Sequence, residues 1–282
     1  LSIRRQRQMC IRDSSRVGLV PDDPLRSRRW SLRTDPRSAV RTAVVWDLLD
    51  VLVVERAAAL DRPLDVVDVG GGTGGFAVPL AGLGHRITVV DPSPDALAAL
   101  QRRAADAGVA ERVRPLQGDA GALVDLVGPG SADLVLCHGV LEYTDDPAAA
   151  VADAVATLRE DGLLSLLVLQ RLGAVLAKAL AGRFQDAHRL LDDPQGRSAD
   201  NDPVPRRFDR AGVLALLEGA GELQIRGVHG VRLFADLLPG ALVDGDPDAA
   251  QALLDLERAA GNHAGLPELS AIAAQLHVVA QV

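Results

Sequence analysis

The sequence has few cysteines and no long apolar run, and both absences narrow its class. Its 282 residues include two cysteines, Cys10 and Cys137, which lie far apart and share no metal-ligand spacing. Two isolated thiols give no disulfide framework, so we expect a protein of the reducing cytoplasm that binds no metal. Because no apolar stretch could cross a bilayer, we also expect a soluble protein without a membrane partner.

Lysine is nearly absent too, since Lys178 is the one lysine among 30 basic residues. With the high alanine content, this indicates the codon bias of a GC-rich genome and carries no chemistry. The charge is uneven. Residues 1–41 hold 11 arginines and four acids, whereas the remainder holds 19 basic and 34 acidic residues. An acidic body argues against sequence-independent coating of nucleic acid, DNA included, but it leaves room for an RNA held by a local basic patch.

The length and pattern predict one large domain after a short tail. Residues 1–24 are Arg-rich without periodicity and do not begin with Met. We interpret them as a disordered tail or an artefact of the gene start. Residues 25–282 are long enough to bury a full α/β core in a single domain.

One stretch organises this domain: Val66-Val67-Asp68-Val69-Gly70-Gly71-Gly72-Thr73-Gly74-Gly75. An apolar β-branched run ends in glycines and a helical pattern follows, which predicts a strand, a tight turn and the start of a helix. The spacing fits two templates. Gly70, Gly72 and Gly75 match the dinucleotide fingerprint. Gly70, Gly72 and Gly74, preceded by Asp68, match the version that binds S-adenosylmethionine (SAM).

Apolar strands and helices alternate after this turn. The pattern predicts strands at 86–91, 113–117, 133–137 and 162–169, with helices at 76–83, 94–107 and 147–158 between them. Such alternation predicts a parallel α/β sheet with helices on both faces. The carboxyl ends of its strands carry the glycine turn, Asp91, Asp119 and His138. Ligands bind beyond that edge of such sheets, and Asp91 lies where an acid accepts hydrogen bonds from ribose hydroxyls.

The second half of the chain breaks the alternation. Residues 170–207 are polar and Arg-rich, and we expect a helix at 172–181 followed by a loop. Together they predict a cap over the ligand edge, with a plain surface insertion as the alternative. Further on we expect a helix capped by Asp209, a strand at 223–228, and a strand or helix start at 231–238. A helix opened by Asp246, with Leu253, Leu254 and Leu256 in its core, and a last strand at 275–282 complete the prediction.

This ending favours SAM over a nicotinamide cofactor. A nicotinamide domain usually continues with a further βαβ half. Here a helix, a strand and a C-terminal strand follow, as in Rossmann-like class I methyltransferases, whose seven-stranded, mostly parallel sheet ends in an antiparallel hairpin. An NAD-dependent oxidoreductase stays open on the glycine motif alone.

Eight segments of the chain resemble one family within the class I SAM-dependent methyltransferases. The chain is similar to the bacterial tRNA 5-carboxymethoxyuridine carboxyl-methyltransferases from about residue 38 to its end. The resemblance is carried by the glycine motif and by Arg41-Thr-Ala-Val-Val-Trp46, His138-Gly-Val-Leu-Glu-Tyr143, Leu164-Ser-Leu-Leu, Gly182-Arg-Phe184, Gly230-Val-Arg-Leu-Phe-Ala-Asp236, Leu253-Leu-Asp-Leu-Glu257 and His277-Val278.

The resemblance implies a SAM site. Family members carry an aromatic, Gly/Thr-rich segment just before the arginine helix, whereas this chain has Arg28-Arg-Trp-Ser-Leu-Arg-Thr-Asp-Pro-Arg37 there. This departure leaves the tRNA acceptor open. The residues that match cofactor contacts in the family are Arg41, Gly71, Gly72, Asp91, Asp119, Ala120 and His138, and we add Asp68 and Gly70 from the motif itself.

The chemistry favours an O-methyltransferase that acts on a carboxylate. A carboxylate is ionised at neutral pH and needs no general base, which agrees with the lack of an obvious base constellation. It needs a cation for orientation, and the planar fork of arginine suits it, so Arg183, Arg206, Arg207 and Arg232 are candidates. The partner would be a tRNA or a small carboxylate. A small-molecule carboxyl or hydroxyl methyltransferase and an inactive SAM-binding regulatory protein are the alternatives.

Overall fold

The computed structural model describes residues 36–239, 242–243, 246–261, 266 and 268–282, with side chains from residue 42 onward. Residues Pro36–Val282 form one compact unit. The predicted tail and the divergent segment at 28–35 lie outside the described residues. Within the described part, every helix is too short or too polar to cross a membrane.

A single seven-stranded sheet forms the centre of the domain. Its strand order is β3-β2-β1-β4-β5-β7-β6, and β7 runs antiparallel to both neighbours while the other strands are parallel. This arrangement confirms the predicted mostly parallel sheet with an antiparallel terminal pair. The strands are β1 (Asp65–Val69), β2 (Arg86–Asp91), β3 (Val113–Gln117), β4 (Ala132–His138), β5 (Leu158–Leu169), β6 (Gln224–Val231) and β7 (Gln275–Gln281).

Helices cover both faces of the sheet. Three of them pack on one face, which is also the face of Asp68 and His138, and three pack on the other. Because both faces are covered, the central strands are continuous apolar runs instead of alternating ones. The first face carries α1 (Pro36–Leu60), α2 (Ala77–Gly82) and α3 (Pro94–Asp106); the second carries α4 (Leu123–Val127), α5 (Pro147–Thr157) and α8 (Arg210–Ala220).

Local caps start these helices where the sequence indicates. The Ser93 hydroxyl accepts from the backbone N–H of Ala96 and begins α3, and Asp146 caps α5 in the same way. Asp209 accepts from Gly212 N–H at 2.8 Å and begins α8, as predicted. Each cap satisfies a helix N–H that would otherwise lack a partner.

The insertion at residues 170–207 differs from the prediction in one respect. After α6 (Arg171–Leu180), residues expected to form a loop form a second helix, α7 (Phe184–Asp192). This helix buries Ala187 and Leu190, and it packs against α6, while Phe184 and Leu191 stay exposed. Nine residues with two buried apolar positions are too short a pattern to read from the sequence, because packing and not propensity stabilises such a helix.

The segment after β6 is also different from the prediction. Residues 232–238 form neither a strand nor a helix start, since the chain turns at Arg232 with a φ of 62°. The buried Glu257 carboxylate accepts the N–H groups of Leu233, Phe234 and Ala235 at 2.7–2.8 Å and holds this turn. Glu257 belongs to α9 (Pro247–Gly261) and lies on the side of this helix that faces the core.

The prediction that Leu256 lies in the core of α9 was wrong. Leu256 is 50% exposed, whereas Leu253 is buried. The next buried positions of the helix are Glu257 and Ala260. The Glu257 carboxylate is therefore buried, next to the position at which a buried leucine was predicted. A short helix, α10 (Leu269–Ile272), precedes β7.

Candidate functional site

The glycine turn is built from residues in conformations that glycine favours. Gly70, Gly72 and Gly74 have φ values of +66°, +53° and +80°. The Gly70 N–H donates to the Val90 carbonyl at 2.7 Å, which ties the turn to β2. Left-handed conformations in close succession are strained for any residue with a Cβ, so the turn requires this composition.

The space around the glycines separates the two cofactor templates. A Cβ on Gly74 would lie 2.3 Å from a methyl of Leu100, and one on Gly71 would lie 2.5 Å from the Asp68 carboxylate. A Cβ on Gly75 would meet nothing within 4 Å, and Gly75 has no positive φ. The third glycine of a dinucleotide fingerprint allows close packing of helix on strand. Gly75 is not constrained in that way, so the structure fits the spacing that ends at Gly74.

Asp68 is a buried carboxylate without a hydrogen-bond partner on one oxygen. It is 2% exposed, and its Oδ2 accepts no hydrogen bond among the described residues. Burial, together with the nearby charge of Asp91, raises the pKa of Asp68 to about 7. Unpaired buried acceptors are rare in folded proteins and need an explanation. A cationic donor from a ligand would supply one.

Asp91 joins the glycine turn to the start of α3. Its two carboxylate oxygens accept the N–H groups of Gly72 and Ser93, each at 2.9 Å. A carboxylate has about four acceptor positions, so two remain for ligand hydroxyls. The Gly118 N–H also donates to the Asp91 carbonyl at 3.2 Å, which brings the end of β3 to the same place.

Asp119 and Ala120 lie beyond the end of β3. The exposed Asp119 carboxylate accepts from the Gly121 N–H at 3.1 Å and opens a 3₁₀ turn, in which Ala120 is buried. Both residues are therefore held at the edge of the sheet that carries Gly72 and Asp91.

His138 ends β4 beside the glycine turn. The turn and this strand end are in contact, because a Cβ on Gly70 would lie 2.4 Å from a methyl of Val140. The His138 ring packs edge-on against Phe76 at 4.9 Å between centroids, and Phe76 packs on Trp46 of α1 at 4.8 Å. Burial lowers the pKa of His138 to about 3, so the imidazole is neutral.

Glu142 is a second buried acid near this strand end. One oxygen accepts the Leu169 N–H, and the other has no partner among the described residues. Burial raises the pKa of Glu142 above its usual value. The sequence analysis quoted this residue within a motif but gave it no role.

Three of the four candidate arginines are paired with carboxylates of their own neighbourhood. Arg183 pairs with Asp186 on the exposed start of α7, and Arg232 pairs with Asp236. Arg207 is nearly buried and lies 2.8 Å from Asp202, whose pKa it helps to lower. These ion pairs neutralise the cations that would be needed to orient a substrate carboxylate.

Arg206 differs from the other three. Its guanidinium donates to the carbonyl oxygens of Thr144 at 2.8 Å and Leu141 at 3.4 Å, and to the Gln195 side chain at 2.8 Å. All three are neutral acceptors, so its charge stays uncompensated by any described carboxylate. The bonds to Thr144 and Leu141 also join the end of the insertion at 170–207 to the loop that follows His138.

Arg41 lies in α1, and its side chain is outside the described residues.

Sequence reasoning missed two polar residues near His138. Ser165 of β5 contacts His138 directly, and His277 of β7 is linked to it through the Ser165 hydroxyl. The signal was available, since each is the one polar residue in an apolar run, at 163–169 and at 276–280. Such a residue needs a hydrogen-bond partner when buried.

Comparison with known proteins supports the geometry. The family described as "Methyltransferase domain" matches residues 67–164, which span β1 to β5. A relative from Escherichia coli, the "tRNA 5-carboxymethoxyuridine methyltransferase", is 32% identical over 222 residues. The match covers 78% of this chain and 81% of that relative.

Two further matches are more distant. The "Ubiquinone biosynthesis O-methyltransferase" of Xanthomonas campestris is 32% identical over 59% of this chain and 65% of its own length. The crystal structure of a SAM-dependent methyltransferase from Aquifex aeolicus superposes with a TM-score of 0.52 at 12% identity. It covers 92% of this chain and 98% of its own, and it shows the fold alone.

Proposed function

Because the chain belongs to the class I SAM-dependent methyltransferases, in the family of the E. coli tRNA 5-carboxymethoxyuridine methyltransferase, we propose that it O-methylates a carboxylate carried by a tRNA wobble uridine. The methyltransferase activity follows from the family. The carboxylate acceptor and the tRNA are the proposal. Its main support is Arg206, a guanidinium that pairs with no described carboxylate and is held by carbonyl oxygens of the loop that follows His138.

The residues of the edge fit SAM. The glycine turn leaves a cradle that a Cβ would fill at Gly71, and the unpartnered Oδ2 of Asp68 suits an ammonium group. Asp91 has acceptor capacity left for ribose hydroxyls. When bound, SAM supplies a methyl group on a sulfonium centre. Asp68, Gly70, Gly71, Gly72, Asp91, Asp119, Ala120 and His138 would hold it, and Arg41 stays a further prediction.

The chain would act by alignment and exclusion of water. The cap and the loop after β4 would enclose the acceptor next to the cofactor, and Arg206 would orient its carboxylate. His138 is a poor base, since its pKa is about 3. An acceptor that is already ionised, as a carboxylate is at neutral pH, needs no base, so the low pKa of His138 agrees with a carboxylate acceptor.

The acceptor is tested with labelled methyl groups. Purified protein and SAM are incubated with bulk tRNA that carries 5-carboxymethoxyuridine, with tRNA that lacks it, and with a small-metabolite extract. We expect label in the first tRNA alone. Label in the metabolites would replace the tRNA with a small acceptor, as the resemblance to an O-methyltransferase of ubiquinone biosynthesis suggests. Binding of S-adenosylhomocysteine without turnover on any pool would favour a regulatory protein, and binding of NAD alone an oxidoreductase.

The role of Arg206 is tested by Arg206→Gln, which keeps hydrogen-bond donors and removes the charge. We expect the KM for the acceptor to rise about ten-fold or more, because one charge-assisted hydrogen bond is lost. The Kd for S-adenosylhomocysteine should stay within about two-fold, since the arginine would touch the acceptor. An unchanged KM would rule out Arg206 as the orienting cation.

A further inference from the structure

A row of polar side chains, buried at its centre, crosses four strands on the face covered by α1. His138 pairs in register with Leu167, Leu167 with His277, and His277 with His229. Ser165, two residues before Leu167 on β5, lies between the first two imidazoles. Its Oγ is 2.8 Å from His138 Nε2 and 2.7 Å from His277 Nε2. Ser165 and His277 are fully buried.

The single hydroxyl proton couples the two rings. Burial lowers the pKa of His138 to about 3. Burial, with the neighbouring His138 and His229, also lowers the pKa of His277 well below its usual value, so each ring is neutral and carries one N–H. Ser165 Oγ has no third partner among the described residues, so its proton is satisfied only by one of the two Nε2 atoms. One ring therefore accepts from the hydroxyl, and the other donates to it.

The two Nδ1 atoms must then have opposite character. Neither has a hydrogen-bond partner among the described residues. Where Nε2 accepts, Nδ1 carries the proton; where Nε2 donates, Nδ1 is a bare acceptor. Unpaired buried N–H groups are rarer than unpaired buried acceptors. His277 lies inside the sheet, flanked by β5 and β6, whereas His138 ends a strand at the ligand edge, where a bound molecule can pair with it.

We infer that Ser165 and His277 are positioning residues that hold His138 as its Nδ1–H tautomer, a neutral donor for an oxygen atom of the bound cofactor or acceptor. The order of donation is His277 Nε2 to Ser165 Oγ, and Ser165 Oγ to His138 Nε2. The inference rests on the proposed function only for the identity of the ligand. The tautomers themselves belong to the protein alone.

Nitrogen-15 NMR of the full chain labelled at histidine tests the tautomers. Long-range proton–nitrogen spectra distinguish Nδ1–H from Nε2–H imidazoles, and loss of a signal set in His138→Gln or His277→Gln assigns each ring. We expect His138 as Nδ1–H and His277 as Nε2–H. His138 found as Nε2–H, or as an imidazolium near neutral pH, would overturn the inference.

The coupling is tested by Ser165→Ala against Ser165→Thr, which keeps the hydroxyl. In Ser165→Ala we expect the His138 signals to change tautomer and the affinity for S-adenosylhomocysteine to fall about ten-fold. In Ser165→Thr both should stay close to the wild-type values. An unchanged tautomer and affinity in a folded Ser165→Ala protein would contradict the coupling. Should both variants fail to fold, the wild-type tautomers still decide.

The two proposals fail separately. A wild-type protein that does not bind S-adenosylhomocysteine would remove the proposed function and leave the tautomer result standing. The expected tautomers with no loss of affinity in a folded Ser165→Ala protein would keep the methyltransferase and remove His277 and Ser165 from its ligand site.

Discussion

The two ends of the central strands differ in how their buried carboxylates are paired. At the amino end of β4, the buried Asp133 carboxylate accepts two bonds from Arg62 at 2.7 and 2.8 Å and one from the Asp65 N–H, and Arg159 lies 2.9 Å away. Burial alone would raise the pKa of Asp133, but these partners outweigh it and lower the pKa to about 2.

The carboxyl end leaves its buried acids unpaired. Asp68 and Glu142 each have an oxygen without a partner among the described residues, and the pKa of each is raised. Asp65 and Asp68 are three residues apart in β1, and Asp133 and His138 lie near the two ends of β4. The same strands therefore build a neutralised edge that stabilises the fold and an incomplete edge that a ligand would complete.

The largest effect should come from filling the cradle. Gly71→Ala places a Cβ 2.5 Å from the Asp68 carboxylate and 2.9 Å from a methyl of Val89. The turn must shift to relieve these contacts, and we expect the shift to weaken binding about a hundred-fold. Calorimetry measures the effect as the Kd for S-adenosylhomocysteine. Gly75→Ala is the matched control, since its Cβ meets nothing within 4 Å. Equal losses of affinity in the two variants would show that the turn tolerates no alanine at all, and they would contradict a specific effect of the Cβ at position 71.

The neutralised edge should respond in stability and not in binding. Asp133→Asn removes the buried carboxylate that Arg62 and Arg159 share and leaves Asp65 as their remaining acidic partner. We expect the free energy of unfolding to fall by about 2 kcal/mol, less than for a fully buried pair because both arginines are about a third exposed. Urea titration measures the loss. An affinity for S-adenosylhomocysteine that fell with it would contradict the separation of the two edges.

The incomplete edge should give a pH-dependent affinity. The pKa of Asp68 is about 7 in the ligand-free protein, and an ammonium partner favours the ionised carboxylate, so binding releases a proton below that pH. The affinity for S-adenosylhomocysteine should therefore rise about ten-fold from about pH 6 to about pH 8 and then level off. Asp68→Asn should bind weakly without this dependence. An affinity of the wild type that does not change with pH would contradict the assignment of Asp68 as the partner of the ammonium group.

The smallest effect should come from an arginine that is already paired at the surface. Arg183 is more than half exposed and pairs with Asp186 three residues along the chain. Arg183→Gln should change the free energy of unfolding by less than about 0.5 kcal/mol, because water screens exposed pairs. Its KM for the acceptor should match the wild type, in contrast with Arg206→Gln. A large rise in KM would return Arg183 to the list of orienting cations.

The sequence predicted what depends on local pattern and on strand order. The glycine turn, the end of β2 at Asp91 and the end of β4 at His138 were read from apolar runs that stop at polar residues, and the parallel topology then requires them to share an edge. The helix α7 was missed because two buried residues, Ala187 and Leu190, give too little periodicity.

Other features depend on partners far away in the chain. The turn after β6 exists because Glu257 accepts three N–H groups, and no local signal marks that pairing. The hydrogen bonds of Ser165 likewise appear only once distant segments meet. The ion pairs of Arg207 and Arg232 are local, with carboxylates five and four residues away, but sequence spacing alone does not show that these pairs form. The sequence could name arginines as candidates, but only the contacts show which charge is left over.

The position of β7 has a consequence for how the molecule assembles. This strand enters between β5 and β6, and its pairing of Gln275 with Leu169 joins residues more than a hundred positions apart. Until it arrives, β5 exposes a row of unpaired backbone groups, and contacts of such long range form slowly. A nascent chain that lacks β7 therefore presents a strand edge that can pair with other chains, and Ser165 acquires its second imidazole only when β7 has paired with β5.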